Sequence, residues 1–581
     1  MIASYLKKTW WKYIIGVLFL IAVDLLQLIP PRLTGRLVDI VKSNDANENT
    51  LLIFILGILA AAGGMMLSRF WWRYFIIGTA HRFSHYARLT LFGKLLTLTQ
   101  DFYDRMLTGD LMARFTNDIN AVRMMLGPAV VMATDAVVLT VITVFAMGKF
   151  VSWRLTLLAS IPLPFLVLVS LTFGKMIHNR FKKVQEGFSE VTHGAEESIS
   201  GVRVIKTFAV EDRMEKRYSD VSRRYFEAQM SLIKVWGLFF PLINMIGASA
   251  SLIALVLGGR MVIYGQISLG EFITFNQYLG MLVWPMMAVG WVLNIIQRSR
   301  ASYKRIMEIL KVKPSVKEPE KPVDVVIKGN VEVKDLNFAY PNTDQLVLKD
   351  VNTMIKAGQF VGIAGRTGSG KSTFVKLLLK LYPVERGRIF FEGVDINDIS
   401  SEHLRKYITY VPQESFLFST SVEKNIAFPV GEIEENEIKF YAQVAAVHDD
   451  IVELPHGYKT VVGERGVTLS GGQKQRVTLA RGLVKRSPII ILDDSLSAVD
   501  AQTEEAIISH LRESVLGSTL IVVSHRLRVL SRADIIYVFD DGRIVEAGHH
   551  NDLVERDGLY KRMYELQTLE ESFERDGGTN G

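Results

Sequence analysis

Six apolar runs crowd the first 297 residues, at approximately 11–31, 51–78, 127–149, 153–174, 236–263 and 269–295. A bilayer's hydrocarbon core is about 30 Å thick and takes roughly 20 residues of helix to cross. Any one run could be a buried helix of a water-soluble core, and Arg69 and Arg73 blur the end of the second. Six in one half of a 581-residue chain argue for a membrane domain. Beyond residue 297 short apolar segments alternate with charges and glycines, so the chain has two halves of different character.

Basic residues set the expected orientation. Arg82, Arg88, Lys94, Arg105, Arg114 and Arg123 follow the second run, and twelve more lysines and arginines lie between Lys175 and Lys234, after the fourth. Both loops are expected in the cytoplasm, with both termini beside them, in a multi-pass protein of the plasma membrane. The first run ends in Pro30-Pro31-Arg32 with no small-residue cleavage site, and reads as a retained helix. The net charge of +7 is accounted for by these loops, so no nucleic-acid partner is expected. The absence of cysteine excludes disulfides and thiol chemistry.

Apolar residues at three- and four-residue spacing continue through 80–126 and 176–234, so the membrane helices are expected to run on past the bilayer. Their tips would be FYDRMLTGDLMARFTNDI (102–119) and GVRVIKTFAVED (201–212). Dense charge and three prolines mark 311–327 as an exposed linker. The expected division is a membrane domain over 1–310, that linker, a second domain over 328–570 and a polar, frayed tail over 571–581.

The second domain carries a phosphate-binding sequence. Gly365-Arg366-Thr367-Gly368-Ser369-Gly370-Lys371-Ser372-Thr373 fits the P-loop pattern, with an apolar strand before it and a helical stretch after it. Glycines let backbone N–H groups converge on a phosphate, the helix N-terminus adds a favourable dipole, Lys371 neutralises charge and Ser372 can ligate Mg²⁺. The chain is therefore expected to bind a nucleoside triphosphate. Further on, Ile489-Ile490-Ile491-Leu492 delivers Asp493-Asp494 at the end of a wholly apolar strand, the Walker B arrangement, with Asp493 acting on Mg²⁺ through water. Leu469-Ser470-Gly471-Gly472-Gln473 opens another helix and makes a second anion cradle. One nucleotide already has a complete phosphate site, so a second cradle suggests a site shared between two subunits.

In order along the chain, these residues resemble the ATP-binding cassette (ABC) proteins. LSGGQKQR is similar to that family's signature motif. Tyr340 in NFAYP resembles the aromatic that stacks on adenine, Gln413 in YVPQESFLF the Q-loop glutamine that senses Mg²⁺, Asp500 in SAVD the D-loop aspartate, and His525 in VVSHRL the switch histidine. GDLMARFTND, GVRVIK and VGERG resemble the exporter subclass. The resemblance implies a half-transporter: an α-helical membrane domain of six helices with long cytoplasmic extensions, fused to an α/β P-loop ATPase domain. Two chains would sandwich two ATP molecules, each between one chain's P-loop and the other's signature. Helices near 108–118 and 207–213 would couple the two domains.

One residue departs from the family pattern. Glutamate normally follows the Walker B aspartate and polarises the attacking water; here the position is Asp494. Its side chain is one methylene shorter, and a misplacement of about 1 Å can cost roughly 100-fold in rate. The chain therefore resembles the weakened-site member of heterodimeric multidrug exporters, its own signature completing a partner's site. Asp494, His525 and Gln413 are the expected catalytic groups.

Asp24 and Asp135 lie inside the first and third apolar runs. Charge inside a membrane is costly, which marks both as substrate candidates beside the alternative of structural hydrogen bonding. Aromatics and methionines in the sixth run suit varied apolar guests. The expected cargo is small and amphipathic. A homodimeric lipid flippase, a peptide exporter and an ATP-binding regulatory subunit stay open as alternatives.

Overall fold

The computed structural model describes residues 1–43, 47–341, 343–463, 469–514 and 517–577. Chain contacts divide it into two units: Met1–Leu96 with Thr108–Val312, and Thr97–Leu107 with Lys313–Gly581.

The first unit is helical throughout. It begins with α1 (Ile2–Gln27), α2 (Ile29–Lys42) and α3 (Glu48–Trp72), and includes helices of 38 residues (Leu163–Ser200) and 53 residues (Glu211–Ile263). Among the described residues five continuous helical stretches are long and apolar enough to cross a membrane: Ile2–Lys42, Glu48–Leu96, Thr108–Ser160, Glu211–Ile263 and Leu269–Lys311. The fourth apolar run is not a separate member of this set. It starts at Trp153, after Ser152 adopts an extended backbone and caps the next helix, and Ile161-Pro162 then divides it between Trp153–Ser160 and Leu163–Ser200. Ile161 keeps a helical backbone, but Pro162 has no N–H to donate to the preceding turn and its ring crowds that turn, which explains the division.

A tight helix crossing joins α2 to Leu269–Met281. Gly35 and Gly270 meet backbone to backbone: a Cβ on Gly270 would lie 1.9 Å from the Gly35 carbonyl oxygen. Asp39 accepts from the Gly270 N–H at 2.7 Å and from the Ser268 hydroxyl at 2.5 Å, while Tyr278 donates to the Leu28 carbonyl at 2.7 Å. At the other extreme, the helix Val202–Phe208 buries none of its residues and exposes Val204 and Phe208.

In the second unit a six-stranded sheet runs in the order β10 (Arg543–Gly548), β9 (Ile535–Asp540), β3 (Phe360–Gly365), β8 (Thr519–Val523), β7 (Ile489–Asp493), β6 (Ile408–Val411). All its pairings are parallel except β9–β10. Every residue of β3, β7 and β8 is buried, as parallel strands covered on both faces must be. Alternation sends Ile490, Leu492 and Val522 into one core and Ile489, Ile491 and Val523 into the other. A smaller antiparallel sheet has the order β2 (Leu348–Ile355), β1 (Val331–Phe338), β4 (Ile389–Phe391), β5 (Val394–Asp395).

Three expectations change. Residues 313–330 lack regular structure but are not loose: Val316 is buried, and Glu318 accepts from the Ser401 N–H at 2.9 Å. From the first long loop, the part that folds with the second unit is Thr97–Leu107 rather than 108–118. Asp101 explains it, accepting from the hydroxyls of Thr99 at 2.5 Å and Ser315 at 2.6 Å, whereas Asp118 pairs with Arg305 inside the first unit. The last helix, Leu559–Gly577, extends into the stretch expected to fray. Residues 464–466 of VGERG and 578–581 of the tail lie outside the described residues.

Candidate nucleotide site

The adjacent strands β3, β7 and β8 run in parallel, so their C-terminal ends deliver residues to one crevice, where α/β sheets place ligands. β3 ends at Gly365, and the helix Lys371–Leu378 begins directly after a five-residue turn. Gly365 (φ 142°) and Gly370 (φ 102°) occupy backbone regions that a side chain disfavours. A Cβ at Gly365 would also strike the Phe539 carbonyl oxygen at 2.2 Å. Arg366, Thr367 and Gly368 are exposed, and Ser369 is buried with its hydroxyl unpartnered. Lys371 is buried and donates to the Gly365 and Arg366 carbonyls, both at 2.8 Å. Burial lowers its pKa, and the nearby Asp494 and Asp493 carboxylates oppose that shift.

Ser372 donates to Asp493 at 2.8 Å, and Tyr410 donates to the other Asp493 oxygen at 3.1 Å. This pair of hard oxygen ligands suits Mg²⁺, which ordinarily takes one or two protein oxygens and completes its shell with phosphate and water. No group of three histidine or carboxylate side chains that could hold a metal alone occurs among the described residues. Asp494 has a left-handed backbone (φ 48°), and its N–H donates to the Val523 carbonyl at 2.9 Å. Its carboxylate accepts from Gln413 at 3.2 Å. Burial raises the pKa of Asp494, opposed by the charge and backbone N–H of His525. Asp493 and Asp494 thus lie near the P-loop lysine, with Gln413 and His525 beside Asp494.

Tyr340 shares a hydrogen bond with Thr373 at 2.9 Å and meets Tyr382 edge-on at 5.1 Å. The Tyr382 hydroxyl donates to Asp104 at 2.5 Å, so the Tyr340–Tyr382 ring pair is tied to the Thr97–Leu107 segment.

The signature stretch stands apart. Ser470 caps the helix Gly471–Leu483 in a reciprocal arrangement with Gln473: the Gln473 N–H donates to the Ser470 hydroxyl at 3.2 Å, and the Ser470 N–H to the Gln473 side chain at 3.0 Å. Leu469 is buried. Among the described residues no hydrogen bond joins 469–473 to the P-loop. Asp500 is exposed and caps the helix Ala501–Ser514 by accepting from the Thr503 N–H at 2.9 Å.

Between these groups lies a connection that sequence reading missed. Buried Gln475, on the signature helix, accepts from the Ala498 N–H at 2.9 Å and donates to Ser497 at 3.2 Å. Arg526, beside His525, donates to the Val499 carbonyl at 2.7 Å and to buried Glu504 at 2.5 Å. The D-loop is thus held from both sides. Its signal in the sequence was only the position of Gln475 and Arg526 inside two recognised motifs.

In the first unit Asp24 is 2% exposed and continues the buried stripe Gly16, Leu20, Val23 of α1. Asp135 lies on the stripe of Leu139 and Thr143 in Pro128–Met147, a helix that packs on α1. One oxygen of each carboxyl is buried without a partner.

The description "ABC transporter transmembrane region" matches residues 13–286, and "ABC transporter" matches 348–497. A probable multidrug resistance ABC transporter ATP-binding/permease protein of Bacillus subtilis, YheI, is 38% identical over 565 residues, covering 97% of each chain. An ATP-dependent lipid A-core flippase of Pseudomonas fluorescens is 35% identical over 513 residues, covering 87% of this chain and 84% of that one. A bacterial Atm1-family ABC exporter with ATP bound superimposes with a TM-score of 0.77 at 28% identity, over 96% of this chain and 99% of that one.

Proposed function

This chain belongs to the ABC transporters, with a membrane-spanning region and an ATPase in one polypeptide, and on that premise we propose that it is the weakened-site half of a heterodimeric exporter of small amphipathic compounds. ATP hydrolysis coupled to transport follows from the family; the asymmetric pairing is the proposal. The observation that carries it is Asp494, an aspartate in the family's glutamate position, within an otherwise complete set of nucleotide-site residues.

In this reading the chain's own P-loop holds ATP. Lys371 would give up the two loop carbonyls for the β- and γ-phosphates, Ser372 would hold Mg²⁺ directly and Asp493 through water, Tyr340 would stack on adenine, and His525 would grip the γ-phosphate. Asp494 falls short of the attacking water, so turnover here is slow. Ser470 through Gln473 offer helix N–H groups to a nucleotide on the partner, whose site turns over. The uncovered Val204 and Phe208 support a second chain, since an apolar helix tip without its own cover favours association. Both termini are assigned to the cytoplasm.

The reading is tested by purifying the chain alone and together with its partner, reconstituting each, and following ATP-driven dye uptake into inverted vesicles. Uptake should require both chains. Brisk hydrolysis and pumping by this chain alone would instead support a homodimer, which the flippase relative keeps in view as a lipid exporter. ATP binding without any uptake by the pair would favour a regulatory subunit.

Asp24 and Asp135 are assigned to the substrate path, where unpartnered carboxyl oxygens favour a positive guest. Replacing both by asparagine is expected to slow uptake of a cationic dye roughly tenfold, equivalent to about 1.4 kcal/mol. Uptake of a neutral dye of similar size should be little affected. Equal slowing of both dyes would remove the carboxyls from substrate recognition.

A further inference from the structure

Arg69 and Arg73 stand one helical turn apart and border a groove of 560 Å³ whose other lining residues are Ala62, Met65, Met66, Phe70 and Tyr74. Among the described residues neither guanidinium has a carboxylate partner, and the sequence offers no aspartate or glutamate between Glu48 and Asp101. Arg73 lies over the Trp72 ring at 5.5 Å, and Arg82 lies 5.4 Å from the Tyr74 ring while donating to its hydroxyl at 3.3 Å. Positive charge therefore gathers at one wall of the groove with no carboxylate paired to Arg69 or Arg73 among the described residues.

The depth of this groove in a bilayer can be read in two ways. From Leu51, the start of the apolar run, a rise of 1.5 Å per residue puts Arg69 about 27 Å and Arg73 about 33 Å along the helix. That spans the edge of a hydrocarbon core about 30 Å thick. Independently, the aromatic residues expected at membrane surfaces meet at this level: Trp11 of α1 contacts Phe75 at 6.5 Å, and Trp71 stacks near Phe75 at 5.9 Å. The arginines bracket the level where headgroups begin, and Met65 and Met66, about 21 and 22.5 Å along the helix, sit where acyl chains are.

We infer that this groove binds a phospholipid with a net negative headgroup, from the leaflet that is cytoplasmic in the proposed orientation. The two guanidiniums hold the phosphate, and the acyl chains follow Met65, Met66 and Phe70. A phosphate takes two parallel N–H donors from arginine, which lysine cannot supply. Within its own unit α3 packs on α1 and α2, and only 6% of the apolar window of Glu48–Leu96 is buried. The core of a protein interface is depleted of charged groups, so two uncompensated arginines beside bare apolar surface fit lipid better than a second protein chain. Membrane attachment is all this inference takes from the family; it is independent of the heterodimer and of Asp494.

The test uses the assembled transporter in nanodiscs of phosphatidylcholine containing a minority of phosphatidylglycerol, with retained lipid counted by mass spectrometry after graded detergent washing. Each surface-level basic residue contributes about fivefold in affinity for anionic lipid. The wild type should retain phosphatidylglycerol preferentially, and Arg69→Gln with Arg73→Gln should lose roughly 25-fold of that preference. Arg223→Gln, an exposed change on a distant helix, should keep it. Met66→Cys, the sole cysteine in such a chain, should attach to a thiol-reactive lipid. Equal retention of both lipids by the wild type, an unaltered preference in the double variant, or cross-linking of the Met66→Cys variant to the partner chain in place of lipid would each overturn the inference. Transport activity enters none of these readouts, so failure here and failure of the exporter reading are separable.

Discussion

Gly471→Asp is expected to depress ATP hydrolysis by the assembled pair at least about a hundredfold, and Asp494→Asn in the same assembly to leave most of it intact. The structure makes both changes readable as chemistry, not damage. A Cβ on Gly471 would meet only the Ala498 methyl, at an ordinary 3.7 Å. An acidic side chain in a first helical turn also favours the helix, by roughly 0.3–1 kcal/mol. The chain should therefore fold, while a carboxylate now stands where helix N–H groups would meet a phosphate. Loss of one such preorganised donor elsewhere costs about 100- to 1,000-fold. Asparagine, for its part, tolerates the left-handed backbone of position 494 as well as aspartate does and keeps an oxygen for Gln413. Phosphate release by the purified pair checks the result. Losses of similar size from the two variants would reject the asymmetric assignment.

Gly270→Val is expected to lower the melting temperature of the membrane unit by roughly 5–10 °C, the scale of a core clash in a domain of this size. A Cβ there would lie 1.9 Å from the Gly35 carbonyl oxygen and 2.6 Å from the Asp39 carboxyl carbon. Neither backbone can withdraw without opening the crossing, and the Asp39 hydrogen bonds to Gly270 and Ser268 would go with it. Gly280→Ala in the same helix is the control, because a Cβ there meets nothing within 4 Å. Thermal unfolding of the two variants in detergent separates a specific crossing from general sensitivity of the helix. Equal melting temperatures would show that the crossing yields.

The nucleotide site was legible because its chemistry is local. The P-loop's glycines, lysine and serine are adjacent in the chain, and the burial of β7 is visible as an unbroken apolar run ending in Asp493. What stayed hidden depends on partners far apart in sequence. Tyr410 reaches Asp493 across 83 residues, and Tyr382 reaches Asp104 across 278. No periodicity reports such pairs. The Asp39 crossing was hidden for the same reason, since its partners Ser268 and Gly270 lie more than 220 residues away. The apolar runs gave the membrane unit its character, but not the extended residue at Ser152, which depends on one local capping choice. The division of the first long loop turned on Asp101 finding Ser315, a contact that only the folded chain creates.

Gln475 and Arg526 both grip the four-residue loop Ser497–Asp500, one from the helix assigned to another chain's nucleotide and one from beside the histidine assigned to this chain's own. Moving either end of this clip alone would break its hydrogen bonds to the loop. On the proposed reading, a slow pocket is then no idle spare. By keeping its ATP while the other pocket fires and empties, it would hold the clip in one setting through many strokes and act as the engine's fixed mount.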